Sequence, residues 1–153
     1  MDNIDKKILS IIQKDISLPL SELAKRVGLS KTPCWNRIRN LEEKGIISGK
    51  AALLDNNKLN LPITVFLFLS VSHHNREWIN EFSNSIKEYD QITEVHRVTG
   101  SEMDYILKII APSVQKYDEF QQELIRRFQF NKMSSSISLK EMKKTHMLPL
   151  THL

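Results

Sequence analysis

A cluster of basic side chains between residues 25 and 44 is the first feature of the sequence that could carry chemistry. This stretch holds six lysine or arginine residues and two glutamates. The whole net charge of +4 arises in residues 1–60, which contain 11 basic and 7 acidic residues, because residues 61–153 contain 11 of each. Local positive charge of this kind is what phosphate binding requires. Charge alone favours a solvated helix face for so short a run, so the pattern of the surrounding residues has to decide.

The elements around this cluster have the spacing of a helix-turn-helix. Apolar residues at helical intervals predict helices at 2–13, 20–27 and 33–44. A four-residue turn that begins at Gly28 is expected to join the second helix to the third. The small side chain of Ala24 lets these two helices cross closely, and the glycine allows the sharp turn.

The third helix of such a unit enters the major groove of DNA with its N-terminal turns against base edges. We expect Thr32 to cap this helix, with Pro33 in its first position. The candidates for base-edge contact are Thr32, Trp35, Asn36 and Arg39. The candidates for phosphate contact, which sets the register on DNA, are Ser30, Lys31, Arg37 and Lys44. Two alternatives stay open, since Trp35 could pack on the duplex backbone and Arg37 could pair with a carboxylate inside the domain.

A small wing is expected after the third helix, which Gly45 ends. Residues 46–54 have the composition of short strands around Gly49. The polar run at 55–58 then indicates a linker.

The second part of the chain alternates strand-like and helix-like patterns. Runs of β-branched, aromatic and other apolar residues predict strands at 63–72, 92–98, 104–110 and 135–143. Helical spacing predicts helices at 77–89 and 114–128. The order β-α-β-β-α-β is that of a ferredoxin-like unit. One face of such a sheet is left uncovered and is partly apolar here, which predicts a homodimer with two sheets packed face to face.

The expected fold class is therefore α+β, in two domains. A winged helix-turn-helix domain occupies 1–55, a linker 56–61, and a C-terminal ferredoxin-like domain 62–153. The N-terminus lacks the pattern of a signal peptide, the longest apolar stretch is broken by polar residues, and Cys34 is the single cysteine. These features predict a protein of the cytoplasm without a membrane span.

No residue pattern points to catalysis, and we expect neither a cofactor nor a metal site. The sequence has no Gly-rich phosphate loop. His73 and His74 are adjacent at a strand end, so they point to opposite faces of the sheet. Cys34 occupies a buried helical position, which favours packing over redox chemistry. The three serines at 134–136 lack the context of a nucleophile elbow.

Several short motifs together resemble the leucine-responsive/AsnC-type, or feast/famine, family of transcriptional regulators. They are DKKIL at 5–9, ELAKRVGLS at 22–30, TPC at 32–34 with Arg37 and LE at 41–42, and VTG at 98–100 followed by DY at 104–105. The resemblance covers nearly the whole chain. It implies homodimers joined by the ferredoxin-like domain, assembly to tetramers, octamers or larger rings, and an amino-acid effector bound between dimers.

The same resemblance assigns the effector residues. They are Thr99, Gly100, Met103 and Asp104 in one turn and, more loosely, Ser134, Ser135 and Ser136 at the start of the last strand. Physically, Gly100 can expose backbone N–H groups to a carboxylate, and Asp104 can accept an ammonium group. The turn could also be an ordinary hairpin in which Asp104 caps its own backbone, and the resemblance favours the site.

The identity of the effector stays open. Many relatives carry an acidic–aromatic pair between the glycine and the aspartate of the turn, whereas this chain has Ser101, Glu102 and Met103 there. The run 49–55, with the adjacent histidines 73–74 and Trp78, resembles a branch of the family that responds to cysteine.

The predicted function is a DNA-binding transcriptional regulator whose assembly or DNA affinity is modulated by an amino acid. One alternative is an architectural protein that wraps double-stranded DNA with little sequence preference. Another is a small-molecule enzyme domain built on the ferredoxin-like half, although such a domain would have no need of residues 1–55.

Overall fold

The chain divides into two compact units. The computed structural model describes residues 1–72, 75–100 and 102–153, so the interpretations of His73, His74 and Ser101 lie outside the described residues. The first unit comprises Met1–Leu53 together with Lys143–Leu153, and the second comprises Leu54–Met142. The domain boundaries expected from the sequence stay a prediction. The packing of the last eleven residues with the first unit was not expected.

Three helices form the first unit. They are α1 at Asn3–Ile12, α2 at Leu20–Val27 and α3 at Lys31–Glu43. α1 starts with a capping box, in which Asp2 Oδ1 accepts the N–H groups of Ile4 and Asp5 at 2.9 Å and Asp5 Oδ2 accepts the N–H of Asp2 at 3.1 Å. The first two helices thus lie where the apolar spacing predicted them.

The turn between α2 and α3 has three residues rather than the four expected. Gly28 adopts a left-handed conformation with φ of 77°, as the sharp turn requires. α3 then begins at Lys31 with Ser30 as its N-cap residue, so the prediction that Thr32 caps this helix is wrong. The N–H of Cys34 bonds to the carbonyl of Ser30 at 3.2 Å, which starts the helix earlier. Pro33 is tolerated at the third position because N–H groups of the first turn have no partner within the helix.

The buried faces of the three helices meet in one apolar core. Its members are Ile8, Leu9, Leu23, Ala24, Val27, Cys34 and Leu41. Cys34 has no exposed surface, and burial raises the pKa of its thiol. A buried, protonated thiol is a poor nucleophile, in agreement with a packing role.

The short strands expected around Gly49 are absent, and this prediction was wrong. No residue from 46 to 62, a range that the structure describes in full, belongs to a strand. Side chains hold the segment instead, since Ile47 packs on the core and Lys50 Nζ lies 2.8 Å from Glu42 Oε1. A strand needs a hydrogen-bonded partner, and sequence composition alone cannot supply one.

The second unit has the predicted β-α-β-β-α-β order. Its elements are β1 at Ile63–Ser70, α4 at Arg76–Ser85, a 3₁₀ turn at Ile86–Glu88, β2 at Ile92–Arg97, β3 at Tyr105–Ala111, α5 at Val114–Arg127 and β4 at Lys132–Ile137. The four strands form one antiparallel sheet in the order β2-β3-β1-β4.

The last strand lies earlier than the predicted 135–143. β4 pairs with β1 from Ser70 opposite Lys132 to Val65 opposite Ile137. One more hydrogen bond, from the Ser138 N–H to the Thr64 carbonyl, lies at the start of β1. The residues after this bond pair with no strand in the described part of the chain, so Leu139 and Met142 are 99% and 84% exposed despite their strand-like alternation.

Alternation along β1 separates the two faces of the sheet. Val65, Leu67 and Leu69 are fully buried and pack with residues of α4 and α5. Phe66 and Phe68, between them, point to the opposite face and retain exposed surface. The uncovered, partly apolar face expected from the sequence is therefore present.

An ion-pair cluster joins the start of α1 to α3. Arg37 Nη1 lies 2.7 Å from Asp2 Oδ2 and 2.8 Å from Asp5 Oδ1. Hydrogen bonds from the Asp5 N–H and from Arg37 hold the pKa of the Asp2 carboxyl below its usual value. The stabilisation that this carboxylate contributes is therefore complete above its unfolded pKa and is lost as the pH falls through the lower folded value.

We expect Asp2→Asn to lower the melting temperature at pH 7 and to have little effect at pH 2. Asparagine is as good an N-cap residue as aspartate, so the substitution removes the charge and leaves the cap. The measurement is thermal unfolding of both proteins from pH 7 to pH 2. Asp118→Asn, an exposed change in α5, is the control. A difference between wild type and Asp2→Asn that is the same at both pH values would contradict the role of the charge.

Candidate nucleic-acid interface and effector site

The exposed face of α3 is the candidate surface for DNA. Cys34 and Leu41 mark the buried side of this helix. At 100° per residue, the opposite side is formed by Thr32, Asn36, Arg39, Asn40 and Glu43, and all five residues are exposed. The structure therefore brings together three of the four residues predicted to contact base edges.

The fourth, Trp35, lies at the margin of this face. Its side chain is 47% exposed and lines a cleft of about 240 Å³ together with Ile16, Leu18 and Ile38. The guanidinium carbon of Arg39 lies 5.4 Å from the centre of the Trp35 ring. This arrangement fits packing on the DNA backbone as well as contact with a base.

Arg39 is engaged within its own helix. Its Nε lies 2.9 Å from Glu43 Oε1, and both side chains are exposed. An exposed i,i+4 pair of this kind contributes only about 0.3–0.5 kcal/mol. A base edge or a phosphate can therefore replace Glu43 as the partner of Arg39 at small cost.

Arg37 does not belong to the exposed face. Its guanidinium is held by the two carboxylates of the α1 capping box, which is the alternative that the sequence left open. The hydrogen bonds that Arg37 donates to Asp5 and Asp2 raise the pKa of its guanidinium further. We therefore withdraw Arg37 as a candidate for phosphate contact.

Asn40 is a further candidate for base-edge contact that the sequence patterns did not single out. It lies one helical turn beyond Asn36 and is exposed on the same side. An asparagine amide can form two hydrogen bonds to an adenine edge in the major groove. The i,i+4 spacing of two asparagines on a predicted recognition helix was the available signal.

The remaining phosphate candidates mark the two ends of α3. Ser30 and Lys31 are exposed at its N-terminus, where backbone N–H groups and the helix dipole favour an anion. Lys44 is exposed at the other end, about 20 Å away for a helix of this length. These groups can therefore contact different phosphates along a duplex.

The turn between β2 and β3 is the candidate effector site. Gly100 has φ of 83°, a conformation that favours glycine. Asp104 is tied to its surroundings, because its N–H donates to the Leu69 carbonyl and its carbonyl accepts the Val98 N–H, each at 2.8 Å. Its carboxylate Oδ2 accepts the N–H of Val71 at 2.8 Å. Asp104 thus caps the backbone at the end of β1, where the sequence alternative had it capping its own turn.

The three serines predicted beside this turn do not form one group. They lie inside β4 rather than at its start, and successive residues face opposite sides of the sheet. Ser134 and Ser136 pair with Phe68 and Phe66 on the uncovered face. Ser135 Oγ faces the helices, where it lies 2.5 Å from Tyr117 Oη and accepts a bond from Gln121 Nε2 at 3.2 Å.

The sheet topology brings a further charged pair to this turn. Glu102 Oε2 forms an ion pair with Lys132 Nζ at the start of β4, and this hydrogen bond lowers the pKa of Glu102. Thirty residues separate the two side chains, so only the pairing of β4 with β1 places them together. Met103 and Asp104 lie at the same end of the sheet.

Other kinds of site are not found in the described part of the chain. Among the described residues, no three His, Cys, Asp or Glu side chains come together as metal ligands. Every helix among them is too short or too polar to cross a lipid bilayer.

Two family models match different parts of the chain. Residues 1–48 match the model of a winged helix-turn-helix DNA-binding domain. Residues 64–148 match the model of the Lrp/AsnC ligand binding domain.

Characterised relatives cover almost the entire chain. The transcriptional regulator Zrp of Zymomonas mobilis is 38% identical over 153 residues, which is 100% of this chain and 99% of the relative. The DNA-binding transcriptional activator DecR of Escherichia coli is 36% identical over 98% of this chain and 99% of its own. These relatives are described as regulators of transcription and not as enzymes.

Solved structures show the same architecture. An AsnC family transcriptional regulator from Agrobacterium tumefaciens is 39% identical, with a TM-score of 0.95 over 100% of this chain and 99% of the other. A transcriptional regulator from Neisseria meningitidis, solved as a complex with L-Met, is 31% identical with a TM-score of 0.93 over 99% of this chain and 98% of the other. On its two matched domains, its full-length relatives and its fold, the chain belongs to the Lrp/AsnC family of DNA-binding transcriptional regulators.

Proposed function

We propose that this protein is a sequence-specific regulator whose assembly or DNA affinity responds to an amino acid. The observation that carries the proposal is the polar, exposed face of α3, with two asparagines and an arginine on a helix that follows a glycine turn. The cytoplasmic location expected from the sequence is part of the proposal.

DNA recognition is assigned to two sets of groups. Thr32, Asn36, Arg39 and Asn40 contact base edges, with Trp35 packing beside them. Ser30, Lys31 and Lys44 contact phosphates and set the register. The side chains assigned to base edges are short or already lie along the helix surface. The helix can therefore approach the floor of the major groove closely.

The effector is assigned to the end of the sheet at which β1 and the β2–β3 turn meet. Backbone N–H groups near Gly100 receive the carboxylate, and Asp104 contributes the negative charge that attracts the ammonium group. Thr99, Met103 and Ser134 complete the lining of the proposed effector site. Ser135 and Ser136 are weaker candidates, since one faces the helices and the other lies farther along β4. The complex of the Neisseria relative with L-Met supports an amino acid as the ligand class.

Self-association is assigned to the uncovered face of the sheet. Phe66 is 36% exposed there, and Phe68 and Ile106 are half-buried. A second copy of the chain would cover these apolar side chains and form the homodimer, from which tetramers, octamers or larger assemblies are built.

We expect Asn36→Ala and Asn40→Ala to weaken binding to a DNA fragment selected by the protein by about 5- to 150-fold each, which corresponds to roughly 1–3 kcal/mol for a lost bidentate base contact. Binding to random DNA should change little. Lys31→Ala should instead weaken both complexes and reduce the slope of log K against log salt by about 1. The measurement is a fluorescence-anisotropy titration at several salt concentrations.

Asn80→Ala is the matched control for these titrations, because Asn80 is an exposed asparagine on α4. Equal affinity of the wild type for selected and random DNA would contradict sequence-specific binding and favour the architectural alternative. If Asn36→Ala, Asn40→Ala and Arg39→Ala all kept the wild-type preference for selected over random DNA, the exposed face of α3 would not be the surface that recognises the sequence.

We expect Asp104→Asn to abolish the rise in melting temperature that an amino acid produces in the wild type. Asparagine keeps an oxygen that accepts the Val71 N–H, so the fold is preserved while the charge that attracts the ammonium is lost. The measurement is a thermal-shift screen of the twenty amino acids, including methionine and cysteine. Glu102→Gln, an exposed change in the same turn, serves as the comparison. A shift that survives in Asp104→Asn would place the ligand elsewhere.

A further inference from the structure

The C-terminal segment of the chain, here called the tail (Lys143–Leu153), packs on the DNA-binding unit. It follows β4 of the second unit in sequence, yet its contacts group it with α1, α2 and α3. The two units are therefore joined twice, at residues 53–54 and again at residues 142–143.

A side-chain amide holds the backbone of the tail. Gln13 Oε1 accepts the N–H of Leu148 at 2.6 Å, and Gln13 Nε2 donates to the carbonyl of the same residue at 3.4 Å. Gln13 is the C-cap residue of α1. The N–H and the carbonyl of Leu148 are thus both bonded to one side-chain amide. Two residues of neighbouring antiparallel strands exchange two hydrogen bonds in the same way.

An apolar anchor lies two residues farther along the tail. Leu150 is partly buried and packs against the core of the first unit, to which α1 contributes Ile8 and Leu9. Leu148 is 71% exposed, so its backbone rather than its side chain is recognised. A turn on each side shapes the segment, with Met147 N–H donating to Thr145 Oγ1 at 3.1 Å and Leu153 N–H to the Leu150 carbonyl at 3.4 Å.

The docked tail is connected to the recognition helix through α1. Gln13 holds the tail at the C-terminal end of α1, and Asp2 and Asp5 hold Arg37 of α3 at its N-terminal end. Tail, α1 and α3 thus form one continuous set of contacts within the first unit.

We propose that α1 carries a docking surface for the tail, and that docking restricts the freedom of the DNA-binding unit and so raises affinity for DNA with two half-sites. The proposal rests on the proposed function as a dimeric DNA-binding regulator. When a dimer binds two half-sites at once, both of its DNA-binding units lose conformational entropy. The docked tail restricts each DNA-binding unit before it binds, so less entropy is lost on binding. A single half-site imposes no such requirement, so docking has little effect on it.

The docking itself is tested in the full-length chain by Leu150→Ala and Gln13→Ala. We expect each to lower the melting temperature, by about 5 °C for Leu150→Ala, and to speed hydrogen exchange at the Leu148 amide measured by NMR. Leu139→Ala, at a leucine that is 99% exposed, and Gln115→Ala, on the exposed side of α5, are the matched controls. Leu150→Met should restore both properties. A wild-type Leu148 amide that exchanges as fast as an unstructured peptide would overturn the proposal.

The functional part is tested with two DNA fragments, one carrying two half-sites and one carrying a single half-site. We expect Leu150→Ala and Gln13→Ala to weaken binding to the two-site fragment by about three- to tenfold, with little change on the single site. Equal affinities of Leu150→Ala and Leu139→Ala for the two-site fragment, or an equal loss on both fragments, would overturn the proposal. A wild type that binds neither fragment would instead refute the proposed DNA-binding function, and the Leu148 exchange would still report whether the tail docks.

Discussion

The central position of β1 is the constraint on which the second unit depends. β1 is hydrogen-bonded to β3 on one edge and to β4 on the other, and three of its side chains are fully buried against the helices. Burial of each such side chain is worth about 1.5–3 kcal/mol, and a shift by one residue would turn all three toward the uncovered face. The register of β1 is therefore strongly determined.

The candidate effector site follows from that register. Because Ser70 pairs with Lys132 and Leu69 with Tyr105, the end of β1, the β2–β3 turn and the start of β4 meet at one end of the sheet. Asp104 stabilises this arrangement, because its carboxylate accepts the N–H of Val71 just after β1. The ion pair between Glu102 and Lys132 is a consequence of the same alignment.

In the DNA-binding unit, several charged groups of α1 and α3 are engaged within the protein. Arg37 is paired with the carboxylates at the start of α1, whereas Arg39 is paired with Glu43 on the exposed face of α3. This division changes how the basic cluster of the sequence is understood. Net charge indicated phosphate binding, but the exposed face of α3 carries mainly uncharged amide and hydroxyl side chains, with lysines at the two ends of the helix.

Local patterns in the sequence determined a large part of this protein. The spacing of apolar residues and the glycine at position 28 were sufficient for three helices and for the presence of a turn between the last two, because helix formation and turn geometry depend on neighbouring residues. The turn is one residue shorter than the sequence predicted, since α3 begins at Lys31. Strand-like runs were likewise sufficient for the β-α-β-β-α-β order. The motifs of the chain also indicated its family.

Only the tertiary structure decided where strands end, which charges are engaged and what the C-terminus contacts. The run 46–54 and residues 138–143 have strand-like composition, but neither pairs with a strand among the residues that the structure describes. Ser134, Ser135 and Ser136 are neighbours in sequence and yet lie on two faces of the sheet. Arg37 meets Asp2 across 35 positions, and Leu148 meets Gln13 across 135. Such contacts depend on how the elements pack, and no local pattern encodes a partner so far along the chain.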